Sequence, residues 1–312
     1  MSFQFSLPTR KESVIVIVIT VIFAVLTSIF VGFRPEHVYL IALFLVLFFS
    51  SKPSRKLAVG LMPFLLFGIS YDWMRVFPNY MVNPIDVADL YNLEKSLFGI
   101  MENGVKLIPC EYFALHTSPF ADFLAGIFYL GWVPVPVAFA LYLYIKKDRS
   151  LFLRFSMAFL FVNLLGFTIY YIHPAAPPWY AIMYGFEPIL NTPGNMAGLA
   201  RFDELTGIPL FSSIYGRNAN VFAAVPSLHS AYLVVVLYYA IIKKCSIPIL
   251  TIIVIFLVGI WFTAVYTSHH YVIDVLLGIL CAIVGIILFE GVLMKLPFFR
   301  HFFDKYYNYI KA

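Results

Sequence analysis

Charge is what this sequence has least of. Lys, Arg, Asp and Glu together make up 12% of its 312 residues, about half the share in a soluble globular protein. So few charges cannot cover the surface of a soluble enzyme, keep a chain disordered, or build a basic nucleic-acid face. Cysteine is scarce as well. Cys110, Cys245 and Cys281 are an odd number, and the last two sit at or inside apolar runs, so neither a disulfide framework nor metal-ligand spacing can be read from them. There is no internal repeat, no low-complexity segment and no second soluble domain. No small-residue cleavage site follows the first apolar run, so MSFQFSLPTRKES reads as the lead into a membrane helix and not as a removable signal. What fills the sequence is apolar: 62% of residues are hydrophobic and the mean hydropathy is +0.89. This is the composition of an integral membrane protein.

Apolar stretches long enough to cross a bilayer fall at 14–33, 57–76, 119–145, 151–173, 221–242, 247–266 and 270–294, with a shorter one at 37–50,. The expected fold is all-α, a polytopic bundle of eight membrane helices; continuous runs are unlike the short alternating segments of a membrane barrel. With the N-terminus in the cytoplasm, 15 of the 21 basic residues lie on the inner side and 12 of the 16 acids outside. A basic inner face orients membrane helices, so both termini are expected in the cytoplasm. Two outer loops are long. In 77–118, Val87, Leu90, Leu93 and Leu97 recur at helical spacing and predict an amphipathic interfacial helix over 84–102. The other, 174–219, is rich in Pro, Gly and Asn and carries Arg201 and Arg217.

Six of the seven histidines map to the outer side. A lone interfacial histidine is ordinarily a polar belt residue, but two segments make a stronger case. In AAVPSLHSAYLVVVL, Pro226 suits a first helical position, so an outward-facing helix N-terminus offers free N–H groups and its dipole to an anion. Ser227 would add a hydroxyl, and His229 stands one turn in. The bland reading is a Pro-Ser helix cap. In YTSHHYVIDVLLG, His270 and Asp274 are four apart on one helix face. A carboxylate on one imidazole nitrogen fixes the tautomer and leaves the other as a base or nucleophile. Here the alternatives are a metal cluster with His269 or a simple dipole-complementing acid. Taken jointly on one membrane face, these groups suit phosphoryl transfer through a phosphohistidine. One histidine attacks phosphorus and the other handles the protons. Ser227, the helix N-terminus and Arg201 or Arg217 are candidate donors to the phosphoryl oxygens.

PSLHS followed by HHYVID resembles the second and third motifs of the type 2 phosphatidic acid phosphatase superfamily. Within it, the sequence is most similar to the fungal-type inositol phosphorylceramide synthases, through YDWMR (71–75), LEKSLFGI (93–100), CEYF (110–113), HPAAPPWY (173–180) and GLARFDELTG (198–207). The resemblance implies a six-helix catalytic core over 57–312 preceded by membrane helices in 1–56. It also implies a catalytic triad of His270 as nucleophile, Asp274 as its partner and His229 as acid then base. Two departures stand out. The superfamily's first motif is absent, with Thr27 where its Lys would precede Arg34-Pro35, and Thr263-Ala264 replaces the Ser-Arg before the third-motif histidine. Phosphate-binding cations must then come from elsewhere, and Arg201 and Arg217 are the candidates, with Ser227 and His269 as further substrate-binding residues.

The expected activity is transfer of phosphoinositol from phosphatidylinositol to ceramide, with no metal, cofactor or nucleic acid. The rivals are a lipid phosphate phosphatase, a transferase with another acceptor, and, outside enzymes, a transporter. Candidate residues at helix tops, away from the bilayer midplane, disfavour transport. The active face is expected on the non-cytoplasmic side, which is the periplasm in a bacterium or the Golgi lumen in a eukaryote.

Overall fold

The computed structural model describes residues 7–215 and 220–311. Helix α1 (Arg10–Phe30) is opened by a capping box between Thr9 and Glu12, and α2 (Pro35–Ser50) returns across the membrane. The expected 57–76 span is broken into α3 (Lys52–Gly60) and α4 (Met62–Trp73). Pro63 lacks the N–H that a continuous helix would need. Gly60, at the break, has the Phe152 ring only 2.5 Å from where a Cβ would stand.

On the outer side come α5 (Ala88–Phe98), a hairpin of β1 (Ile100–Glu102) and β2 (Val105–Leu107), and α6 (Pro109–Leu115). The interfacial helix is thus shorter than 84–102, and its faces differ from the expected ones. Leu90, Tyr91 and Glu94 are buried, while Leu93 and Leu97 point outward. The 119–145 run is α7 (Pro119–Leu130) and α8 (Pro134–Ile145), bent by 46° at Gly131–Val133 before two prolines.

Helix α9 (Arg149–Ile172) runs through the centre of the molecule. The 174–219 loop is not bare coil: it carries α10 (Pro178–Tyr184), α11 (Ala200–Thr206) and α12 (Leu210–Tyr215). Then follow α13 (Leu228–Ile242), α14 (Ile247–Tyr266), α15 (Val272–Gly291) and α16 (Pro297–Lys311). Helix α16, outside the eight expected spans, is amphipathic and packs on α3 and α9.

The core is the packing of α9, α13, α14 and α15, with α4 and α8 against α9 and α7 against α14. Helix α1 buries almost nothing, as a lipid-facing span does. The chain is an integral, multi-pass helical membrane protein. Polar contacts tie one end together: Lys243 to Asp148 at 2.6 Å, Arg154 to Glu290, and the Tyr309 hydroxyl to Glu12 at 2.9 Å. The histidines gather at the other end. There α13 begins only at Leu228, not at 221, and its 15 residues rise about 22 Å against the ~30 Å of a bilayer core. The site therefore lies below the outer surface, and the 221–227 segment folds in above it.

Candidate active site

Three extended segments frame the site. Asp86, Ala175 and Ala223 make parallel bridges side by side. Buried Asn79 donates to the carbonyls of Tyr170 (2.8 Å) and Phe222 (2.7 Å), fixing the last segment against α9. That segment delivers Ala224, whose carbonyl lies 3.1 Å from His270 Nδ1. The same nitrogen lies 3.4 Å from Asp274 Oδ2. Both neighbours only accept, so Nδ1 carries the proton and Nε2 keeps the lone pair. Nε2 is 3.1 Å from His229 Nδ1. With both rings neutral, His229 Nδ1–H donates to the His270 lone pair. Burial pushes His270 down to about 4, which keeps its imidazole neutral at pH 7.

Asp274 is fully buried. Its Oδ2 also accepts the Tyr271 N–H at 2.9 Å, and its Oδ1 has no hydrogen-bond partner among the described residues. The next two N–H groups of α15, on Val272 and Ile273, are taken by the two oxygens of Glu94 on α5, at 2.9 and 3.2 Å. Tyr271 at the N-cap has no side-chain oxygen that reaches them, so a distant carboxylate caps the helix instead. Burial raises Glu94 to about 7, partly offset by these N–H groups. The Cys110 thiol donates to the His270 carbonyl at 3.4 Å. Glu94 and Cys110 were not singled out as site residues from the sequence, although both lie in stretches that carried the family resemblance. The usable signal was an acid among apolar residues on a short interfacial helix.

Ser227 caps α13, accepting from the Ser230 N–H at 3.4 Å and hydroxyl at 3.1 Å, and it is fully buried. Pro226 stands one residue before that cap, after a cis peptide bond, and not at the first helical position. Gly278 lets the two helix tops meet: a Cβ there would stand 2.1 Å from the Ser227 carbonyl oxygen, and the Ser227 N–H donates to the Asp274 carbonyl at 2.9 Å.

His229, His269 and His270 line one cavity of about 240 Å³, walled mainly by aromatic rings from α4, α7, α9 and α13. The bend after α7 aims Tyr129 and Trp132 at His229, with ring centroids 5.1 and 4.8 Å away. His269 is sandwiched between Tyr129 and Tyr215, and its Nε2 donates to the Met196 carbonyl at 3.0 Å. It is directed away from Asp274, and among the described residues no group of three His, Cys, Asp or Glu is disposed to hold a metal.

Arg201 does not join the cavity. Its Nε donates to Asp122 at 2.6 Å and its guanidinium lies over the Tyr266 ring, although its buried Nη2 makes no hydrogen bond among the described residues. Arg217 falls outside the described residues. Among the described residues, no Lys or Arg lines the cavity.

A nucleophilic nitrogen, an adjacent proton carrier and an orienting carboxylate, beneath a helix N-terminus at the edge of an apolar cavity, can carry a phosphoryl group between two lipid alcohols. Comparison with known proteins agrees: the PAP2 superfamily profile matches residues 88–288. The chain belongs to the PAP2 superfamily. The match begins at the interfacial helix α5 and ends within α15, so it contains every residue of the histidine cluster and leaves α1–α4 outside. This PAP2 enzyme is 65% identical over 305 residues, 98% of its length and 100% of the other, to the phosphoinositol dihydroceramide synthase of Bacteroides thetaiotaomicron. It is 28% identical over 223 residues to the inositol phosphorylceramide synthase catalytic subunit of Saccharomyces cerevisiae, covering 70% of this chain and 52% of that one. To the inositol phosphorylceramide synthase of Candida albicans it is 29% identical over 201 residues, covering 60% and 41%. The chain thus spans about half the length of these fungal relatives. No solved structure matches it.

Proposed function

We propose that this PAP2 enzyme transfers phosphoinositol from phosphatidylinositol to the primary hydroxyl of a ceramide-class lipid, releasing diacylglycerol. The observation that carries the reading is the pair of histidines 3.1 Å apart at the edge of an aromatic cavity. They occur in a chain that matches a phosphoinositol dihydroceramide synthase along its whole length.

His270 Nε2 attacks phosphorus, and the bond to the diacylglycerol oxygen breaks. His229, which enters this step protonated, gives that oxygen its proton. The intermediate is a phosphohistidine whose ring keeps its Nδ1 proton and is therefore cationic, and the Asp274 carboxylate stabilises that charge. The acceptor hydroxyl then gives its proton to His229 and attacks phosphorus, and His270 leaves with its lone pair restored. A separation of 3.1 Å leaves no room for a phosphoryl group between the nitrogens, so the donor must displace the resting histidine contact. The N-terminus of α13 and its cap at Ser227 would serve the phosphoryl oxygens. His269 would form part of the cavity wall, and Arg201 and Arg217 would supply positive charge from the 174–219 segment.

The basic loops at the opposite end of the molecule support an active site on the non-cytoplasmic face. Both lipids would then reach the cavity sideways from the outer leaflet. The test is direct. Purified protein given labelled phosphatidylinositol and ceramide makes a labelled inositol phospholipid of the ceramide. Release of soluble inositol phosphate at the same rate with and without ceramide would instead indicate a hydrolase.

A further inference from the structure

Beside the histidine cavity lies a smaller one of about 160 Å³ with a different character. Five of its eight lining residues carry polar side chains, namely Arg75, Tyr80, Asn191, Thr192 and Asn220, and none is acidic. Asn220 and Val221 line both cavities. Three residues beyond Val221, the Ala224 carbonyl accepts from His270. The two spaces are therefore neighbours along the one segment that also holds the nucleophile.

The wall of the smaller cavity is braced from behind. Arg75 is tied to Asp72 through Nη2 at 3.0 Å and through Nε to the backbone carbonyl at 3.2 Å. Asp72 is in turn held by Arg34 at 2.5 Å and His37 at 3.0 Å, so α2 and α4 together set the guanidinium. The Tyr80 hydroxyl donates to Asn191 Oδ1 at 3.2 Å, and its ring meets Phe222 edge-on. Thr192 is fixed through its hydroxyl to the Ile189 carbonyl at 2.6 Å. A guanidinium, a phenol, two amides and a hydroxyl offer donors and acceptors in a small space without a carboxylate. Hydrocarbon gains nothing there, because it would strand these groups without partners. An uncharged ring bearing several hydroxyls pairs with them.

We propose that this polar cavity is the subsite for the polyol head group of the donor lipid, while the aromatic cavity takes the hydrocarbon-bearing parts next to phosphorus. The assignment rests on the phosphoinositol-transfer reading. In that reaction the polyol is the only group that stays on phosphorus through both displacements, as diacylglycerol departs and the acceptor arrives. Holding it apart from the hydrocarbon path lets the two lipids exchange without loss of the intermediate.

The test uses the purified full chain, with myo-inositol 1-phosphate and glycerol 1-phosphate as soluble probes, and the variants Asn191→Ala and Thr192→Val. In Asn191→Ala the KM for phosphatidylinositol rises about tenfold, as expected for one or two lost hydrogen bonds. Its kcat and its KM for ceramide stay within twofold, the signature of lost uniform binding. The dissociation constant of inositol 1-phosphate rises by the same factor, and that of glycerol 1-phosphate does not move. Unchanged constants in both variants overturn the assignment. Should a variant fail to fold, the wild type decides: it binds inositol 1-phosphate at least tenfold more tightly than glycerol 1-phosphate, and equal binding overturns the proposal. Tight inositol 1-phosphate binding lost in Asn191→Ala, in a wild type that transfers nothing to ceramide, would keep the subsite and refute the transfer reading.

Discussion

Replacing Asp274 by Asn separates the charge of the carboxylate from its geometry. One oxygen, Oδ2, both accepts the Tyr271 N–H at 2.9 Å and faces His270 Nδ1 at 3.4 Å. An Asn side chain can keep both contacts through its carbonyl oxygen, because turning its amide toward Tyr271 N–H would set donor against donor. What it removes is the negative charge beside a ring that becomes cationic in the phosphohistidine. At 3.4 Å and an effective dielectric of about 20, that charge stabilises a full positive charge by about 5 kcal/mol, and a half-developed one by about half as much. The expected fall in kcat therefore lies between roughly 60-fold and 4,000-fold. KM for both lipids stays within about threefold, since Asp274 does not line the cavity. The amide NH₂ takes the place of Oδ1, which has no partner, so the melting temperature should drop as expected for about 1–3 kcal/mol of unsatisfied burial. Steady-state transfer from labelled phosphatidylinositol, with thermal unfolding in the same detergent, measures both effects. A kcat within tenfold of wild type in a folded protein would refute the electrostatic role.

Glu94→Gln leaves one of the two α15 N–H groups without its acceptor, and should lower kcat at unchanged KM while costing about 1–3 kcal/mol in unfolding. Equal kcat would show that Glu94 does not set the nucleophile's helix. Gly278→Ala places a Cβ 2.1 Å from a backbone oxygen, whereas a Cβ at Gly291 meets nothing within 4 Å. The first should lose activity and unfold several degrees earlier, the second should behave as wild type, and indistinguishable melting curves would contradict the packing. In pH dependence, His270 is held down to about 4 by burial, so it adds stability above pH 6.5 that is lost as pH falls toward 4. Glu94 is raised to about 7, so its contribution is present below pH 4.5 and lost as pH rises through 7. The two oppose each other. Removing Glu94 should make the melting temperature fall more steeply from pH 7 to 4.5 than in wild type, and an equal slope would reject this balance.

Hydropathy reads length and periodicity, so all eight apolar runs were legible as helices, along with the clustering of histidines at one end. It does not read bends. Pro63 and the Gly131–Val133 break turn two expected spans into four helices, and the second break is what presents Tyr129 and Trp132 to His229. His229, His270 and Asp274 could be picked out because each pair relation is short-range or sits at a helix top. Ser227 was ambiguous for the same reason, since a cap and an anion site share one sequence pattern. The partner of Arg201 was hidden by distance along the chain: Asp122 lies 79 residues away. Glu94 reaches across 178 residues to Val272, and no local pattern reports such a contact.

The central claim is that His270 Nε2 takes the phosphoryl group. Rapid quenching of purified protein with head-group-labelled phosphatidylinositol, without acceptor, followed by peptide mapping under alkaline conditions, tests it most directly. The account predicts an acid-labile label on the peptide containing His270, discharged on adding ceramide and absent in His270→Ala. Label on another residue, or ceramide-dependent turnover at wild-type rate in His270→Ala, would contradict it.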